Sequence, residues 1–225
     1  TDTGGKALFA GARFLLAGLV VLAVAKLCGR SFAVPRGKTR WQLVLFGLVN
    51  TALHYFFFYL GVSNSPGGRA SILDSLGTFL LILAAAVVFR EKLTLRSIFG
   101  CLLGFSGIVL INLGSTAGQF TLSGDGMLLC SSVCAMAGGL LTRVVTRKMD
   151  PLVATGHSLA LGGALLIPAG LLMGAHPVGV HPKGLLILAA LVAVSAVGFS
   201  FYNQLLRYHP VGQIAIYNAF IPVLG

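Results

Sequence analysis

The sequence predicts an all-α polytopic membrane protein, a helical bundle, on three observations. Near-continuous apolar runs about twenty residues long recur along the chain, and 41–62 (WQLVLFGLVNTALHYFFFYLGV) is the clearest. At 1.5 Å per residue a helix of that length spans the ~30 Å hydrocarbon core of a bilayer. Hydrophobic residues make up 56% of the 225 and charged residues 9%, whereas soluble domains carry roughly 25% charged residues. Mean hydropathy is +0.94, and the breaks between runs are short and either basic or rich in Gly and Pro.

Taken in order, the predicted spans are 8–25, 41–62, 70–89, 97–113, 124–142, 152–173 and 184–206, with an eighth beginning at 211. The first run is interrupted by Arg13 and has no basic segment before it, so it does not have the form of a cleavable signal peptide. The opening TDTGGKALFAG has the look of a loop entering a second helix, and the last run is still apolar at Gly225. The expectation is therefore ten helices in the intact protein, about eight of them covered here.

Basic residues set the expected orientation. Lys26, Arg30, Arg36, Lys38 and Arg40 crowd the 26–40 loop, whereas 63–69 holds only Arg69. Arg90, Lys92 and Arg96 follow the third span, 114–123 has no basic residue, and Arg143, Arg147 and Lys148 follow the fifth. Loops 26–40, 90–96, 143–150 and 207–210 are thus expected on the cytoplasmic side. The net charge of +11 belongs to these loops. It lies singly or in threes between apolar runs with no aromatic–basic element beside it, which argues against nucleic acid as a partner.

An internal repeat emerges when the chain is laid on itself at an offset of 144 residues without gaps. Pro66 then falls on Pro210, Gly68 on Gly212, Gly18 on Gly162 and Phe57 on Phe201. Leu8, Ala10, Leu15 and Leu22 meet Leu152, Ala154, Leu159 and Leu166; Arg13 meets His157 and Asp74 meets Asn218. The loop charges make 8–25 run inward and 152–173 outward, so the halves, 1–113 and 124–225, are expected to be inverted copies. Inverted repeats hold substrate near the midplane between them in secondary transporters.

Residues 70–113 resemble the EamA-type drug/metabolite transporter superfamily: an apolar helix, Glu91 just past its inner end, a short basic hairpin, then a helix with Gly100 and Gly107. ARFLLAG at 12–18 is similar to the start of that family's second helix, and Pro222 matches the proline of its ninth. Thr78 stands where the first repeat often has the corresponding proline, and Asp74 at a position usually small or neutral. The resemblance implies two five-helix halves, alternating access and a central cavity lined by the helices matching 41–62, 70–89, 124–142, 184–206 and 211 onward. It places 97–113 at the periphery. It implies secondary export of small organic metabolites, amino acids or related compounds, across a membrane. The short loops, and Asn64-Ser65-Pro66 not being a glycosylation acceptor, make a bacterial inner membrane the expected location.

Ionisable groups inside a bilayer cost ~2.5–3.5 kcal/mol each on insertion scales and are functional candidates by default. Arg13 and Asp74 lie five and four residues inside the outer ends of their spans, at similar depth, and are placed to pair. With His54 and Tyr59 they form an expected outer cluster that binds substrate or couples protons. The offset puts His157, Asn203 and Asn218 in the inner half as an opposite gate. Several have a blander alternative: Arg13 snorkelling to headgroups, Asp74 capping its own helix or pairing structurally with Arg69 or Arg13, His54 buried and hydrogen-bonded, and the two asparagines bonding each other or backbone. Tyr55, Phe56, Phe57 and Phe58 are too consecutive to share one face and are expected mostly against lipid or neighbours.

No enzyme constellation appears. There is no G-x-x-x-x-G-K-[ST], H-E-x-x-H or G-x-S-x-G, and Ser131 and Ser132 have no base at sensible spacing. Cys28, Cys101, Cys130 and Cys134 are expected to pack as small apolar residues, without metal, and no cofactor is expected. Gly100, Gly104 and Gly107 allow close helix approach, within the bundle or at a homodimer face. The remaining classes are a flippase for lipid or hydrophobic solutes and a non-transporting membrane subunit.

Overall fold

The computed structural model describes residues 3–32, 37–91, 95–112, 119–175, 182–211 and 213–214. They form seven helices: α1 (Thr3–Leu27), α2 (Lys38–Asn64), α3 (Gly67–Phe89), α4 (Leu95–Asn112), α5 (Leu122–Thr146), α6 (Pro151–Leu172) and α7 (Pro182–Tyr208). Among the described residues there is no strand, and every helix but α4 is long and apolar enough to cross a membrane. Of the expected eighth span only 211, 213 and 214 are described, all helical; Asn218 and Pro222 lie outside the described residues.

All but one of the helices are longer than the apolar runs that predicted them; α6 has the same length, shifted by one residue. α1 begins at Thr3 rather than 8 because its first turn is packed: Gly4 is buried against the backbone of Gly170, Met173 and Ala175. α1 and α6 run antiparallel, and their contact is a ladder of glycines seven residues apart. A Cβ on Gly4 would meet the Gly170 carbonyl at 3.0 Å, on Gly11 that of Gly163 at 3.0 Å, and on Gly18 that of Gly156 at 2.7 Å. Seven-residue spacing keeps the glycines on one seam, and their missing side chains let the two backbones touch.

Local chemistry sets the ends. Asp150 caps α6, its Oδ1 accepting from the Leu152 N–H at 2.9 Å and the Val153 N–H at 3.4 Å, ahead of Pro151 in the first turn. α3 ends at Arg90, whose φ of 54° breaks the helix. α2 is not uniform: Leu48–Leu53 winds as a π-helix, inserting a residue and changing which side chains face inward after it.

Around the α1–α6 pair, α2, α3 and α5 pack together on one side, and α7 packs against α1, α6 and α5. α4 packs on α3 at the rim, Phe105 edge-on to Phe79 at 5.0 Å. Added Cβ atoms on Gly100 and Gly107 would meet nothing within 4 Å, so these two glycines are not used for close approach inside the bundle. The 144-residue offset carries Lys38–Asn64 onto the bounds of α7, Pro182–Tyr208.

Candidate functional site

Between α1, α2, α3, α5 and α7 lies a cavity of about 580 Å³. Arg13, Asn50, His54, Asp74, Ser75, Thr78 and Ser195 supply its polar lining; Tyr55, Phe58, Phe199 and Tyr202 supply rings, and Gly77, Gly139 and Gly198 leave it room. Depth follows from counting along each helix. Arg13 is ten residues from Thr3, His54 ten from Asn64, and Ser195 thirteen from either end of α7. At 1.5 Å per residue, ten residues is ~15 Å, half of a ~30 Å hydrocarbon core. The site is therefore near the middle of the bundle, deeper than the sequence placed it, because α1 extends five residues beyond its apolar run.

Depth also decides the role of Arg13. Its Nε donates to Ser195 Oγ at 2.8 Å, and Ser195 donates onward to the Leu191 carbonyl at 2.8 Å. Its guanidinium carbon lies 4.8 Å from the centre of the Phe14 ring. The side chain thus crosses from α1 to α7 rather than snorkelling. The expected Arg13–Asp74 pair is not made: the ion pairs among the described residues are Arg30–Asp150, Arg69–Asp125 and Arg143–Glu91. Both residues line the cavity, but α1 packs toward α7 and turns the guanidinium onto Ser195. The Asp74–Arg69 alternative fails too, since Arg69 donates to the fully buried Asp125 at 2.8 Å, a carboxylate that also accepts from Ser65 Oγ at 2.5 Å.

His54 is held by α5. Its Nδ1 lies 3.1 Å from both the Ser131 carbonyl and Ser131 Oγ, and Ser131 Oγ donates to the His54 carbonyl at 3.2 Å. Sequence spacing offered Ser131 no base; tertiary packing sets an imidazole against it. One residue on, Ser132 Oγ donates to the Leu73 carbonyl at 2.6 Å. A single turn of α5 therefore holds His54 on one side and the residue before Asp74 on the other.

The remaining sequence candidates do not join them. Tyr59 is half-buried against the cluster around Phe14 and Leu159 and does not line the cavity. His157 Nδ1 lies 2.8 Å from the Val153 carbonyl of its own helix. Asn203 is buried and donates to Thr155 Oγ1 at 2.8 Å, joining α7 to α6. Neither lines the cavity: His157 bonds within α6, and Asn203 reaches from α7 to α6. Asn50, Tyr55, Phe58, Ser195, Phe199 and Tyr202 are lining residues that sequence reasoning missed. The π-helical turn presents Asn50, and Gly138 accommodates it: a Cβ there would lie 2.9 Å from Asn50 Cα. No period in the sequence signals that turn.

At the end of the bundle that carries the basic loops, the cavity is closed. Leu81, Ile82 and Ala85 of α3 pack with Leu206, Val211 and Ile214 in a buried cluster. Just beyond it Glu91 pairs with Arg143 of α5 and accepts from the Val211 N–H at 3.1 Å. Arg143 also lies over the Phe89 ring at 4.8 Å. Glu91 is largely buried and ties together three parts of the chain.

Membrane-length helices around a mid-depth cavity of mixed charge define an integral membrane protein with an internal polar site. The chain belongs to the EamA-like transporter family, whose model matches residues 5–113 and 122–225. It is 30% identical over 162 residues to a chloroplastic WAT1-related protein of Arabidopsis thaliana, covering 69% of this chain and 38% of that protein. It is 28% identical to an uncharacterized transporter of Synechocystis (73% of this chain, 54% of that one) and 24% identical to the uncharacterized transporter YvbV of Bacillus subtilis (97% and 72%). The chain thus spans about half or less of the length of the first two. A solved crystal structure with 21% identity superposes with a TM-score of 0.82 over 98% of this chain and 76% of its own, showing the same fold.

Proposed function

We propose that this chain is the core of a secondary transporter that carries small organic metabolites, amino acids or related compounds, outward across a cell membrane by alternating access. The observation that carries the reading is the 580 Å³ cavity at the midpoint of five helices, polar on its walls and closed at the basic-loop end by the Glu91–Arg143 pair and the apolar cluster above it. A volume of that size suits a metabolite-sized ligand. Substrate at the midplane between two inverted halves is how secondary transporters are built, and the 144-residue correspondence of α2 with α7 supports such halves here.

Asp74 is the acidic side chain among the described lining residues and the group through which a proton gradient acts in this reading. Arg13, fixed on Ser195, holds α1 to α7 and leaves a positive field on the opposite wall. The chain supplies binding and gating, not catalysis: His54 and Ser131 are committed to each other and to backbone.

The test is solute flux in proteoliposomes holding the full-length protein and a panel of amino acids, amines and nucleosides, with and without a pH gradient. Export of one class, driven by the gradient and at least tenfold slower in Asp74→Asn, is the expected result. Gradient-driven export unchanged in Asp74→Asn removes the coupling role, and no flux of any solute overturns the transporter reading.

A further inference from the structure

We propose that Asp74, Asn50 and Thr78 form a seat for an ammonium group, so that the cavity takes protonated amines with an apolar or aromatic body; this rests on the transport reading of the same cavity. The inference comes from asking which polar groups in the cavity wall are already used. Arg13 Nε is spent on Ser195, His54 Nδ1 on Ser131, Ser195 Oγ on the Leu191 carbonyl, and Ser75 Oγ on the Ser71 carbonyl at 2.7 Å. The side chains of Asp74, Asn50 and Thr78 make no hydrogen bond or ion pair among the described residues, although all three line the cavity.

Each of these three groups can accept a hydrogen bond. A carboxylate, an amide oxygen and a hydroxyl are all acceptors, and an alkylammonium carries three N–H donors. The placement suits convergence. Asp74 and Thr78 are four residues apart on α3 and so share a face. α3 and α2 both rest on α5 close by: a Cβ on Gly77 would meet Ser132 and Ala135 at 3.2 Å, and one on Gly138 would meet the Asn50 side chain. The seat is therefore bounded by one short stretch of α5, between Ser132 and Gly138.

Local partners favour a cation at Asp74. Neither Arg13 nor Asp74 has a counter-ion within ion-pair distance among the described residues, but Arg13 donates to Ser195 and lies over the Phe14 ring, whereas the Asp74 side chain has no hydrogen-bond partner there. A carboxylate inside a membrane span without a counter-charge is unfavourable, and a bound ammonium supplies that counter-charge. The rings of Tyr55, Phe58 and Phe199 complete the site. They offer faces that attract a cation and an apolar surface for the rest of the molecule.

The probes are three molecules of one shape: 2-phenylethylamine, 2-phenylethanol and phenylacetate. Their equilibrium binding is measured on the full-length protein in nanodiscs at neutral pH, without any gradient. The amine is expected to bind about tenfold tighter than the alcohol, the increment of one charge-assisted contact. Asp74→Asn is expected to abolish that ratio while leaving alcohol binding intact, which also shows that the variant is folded. Asn50→Leu and Thr78→Val are expected to lower the ratio several-fold without moving the alcohol. Equal binding of amine and alcohol, tighter binding of phenylacetate, a ratio indifferent to Asp74→Asn, or no binding of any probe overturns the proposal. An amine that binds but is never carried removes the transport reading and leaves the seat; an anion that is carried while the amine does not bind does the reverse.

Discussion

Asn203 and Asp74 looked alike in the sequence, two polar groups in apolar helices, and the structure gives them opposite work. Asn203 is 2% exposed and has found Thr155 at 2.8 Å, the satisfied state that buried polar groups normally reach. Asp74 lines the cavity with no such partner among the described residues. The consequence is a clean contrast. Asn203→Leu removes one interhelical hydrogen bond, worth about 0.6 kcal/mol on average between membrane helices and up to about 1.7. It is expected to lower the thermal midpoint of the detergent-solubilised protein modestly and leave flux per folded molecule unchanged. Flux lost with no change in midpoint would return Asn203 to the gate that the repeat alignment suggested. Side-chain type and depth in a span were legible in the sequence at both positions. Which of them had a partner was not, since the partners lie 48 residues away for Asn203 and 182 residues away for Arg13.

At the scale of elements, the apolar runs located every described helix, because a span needs about twenty apolar residues whatever it packs against. They missed the ends and one interior irregularity. Thr3–Ala7 joins α1 because its glycine meets α6, and glycine contributes little to a hydropathy count. The π-helical turn at Leu48–Leu53 left no periodic signal, yet it puts Asn50 in the cavity wall. The glycine ladder makes a prediction at this scale. Gly18→Ala places a Cβ 2.7 Å from the Gly156 carbonyl, and backbone has to move. It is expected to destabilise by about 1–3 kcal/mol, the usual cost of overpacking. Gly100→Ala meets nothing within 4 Å; it removes only the helix penalty of glycine, about 1 kcal/mol, and is expected to hold or raise the midpoint. Thermal unfolding of the two variants side by side checks this, and equal midpoints would mean that the α1–α6 seam gives way at Gly18 without strain.

For the molecule as a whole, the question is what keeps the cavity shut at the basic-loop end. The Glu91–Arg143 pair sits at the junction of α3, α5 and the helical turn at 211, with the Leu81–Leu206 cluster between it and the cavity. Glu91→Gln leaves the Arg143 guanidinium largely buried without its counter-ion, a loss of about 3–5 kcal/mol for the closed state. In the proposed cycle the variant is expected to favour opening toward that end. A cysteine at Leu81, in a background with Cys28, Cys101, Cys130 and Cys134 replaced by serine, is expected to react faster with a reagent supplied from the basic-loop side when Glu91→Gln is added. Unchanged reactivity would show that the apolar cluster alone closes the end.

The all-α membrane class, the positions of the helices and the family pattern were all readable along the chain. Those properties rest on local quantities: the length of apolar runs, the breaks between them, and short motifs such as Glu91 with Gly100 and Gly107. Which polar residues meet was settled by packing between helices. It turned Arg13 onto Ser195 rather than Asp74, set His54 against Ser131, joined Glu91 to Arg143 across the bundle, and opened the cavity to Asn50 and Tyr55. The physical reason is that a helix fixes the direction of a side chain relative to its own axis, whereas its partner depends on how that helix is rotated against its neighbours. Here the rotation is set by backbone contact between glycines of α1 and α6, by a π-helical turn in α2 and by small residues on α5.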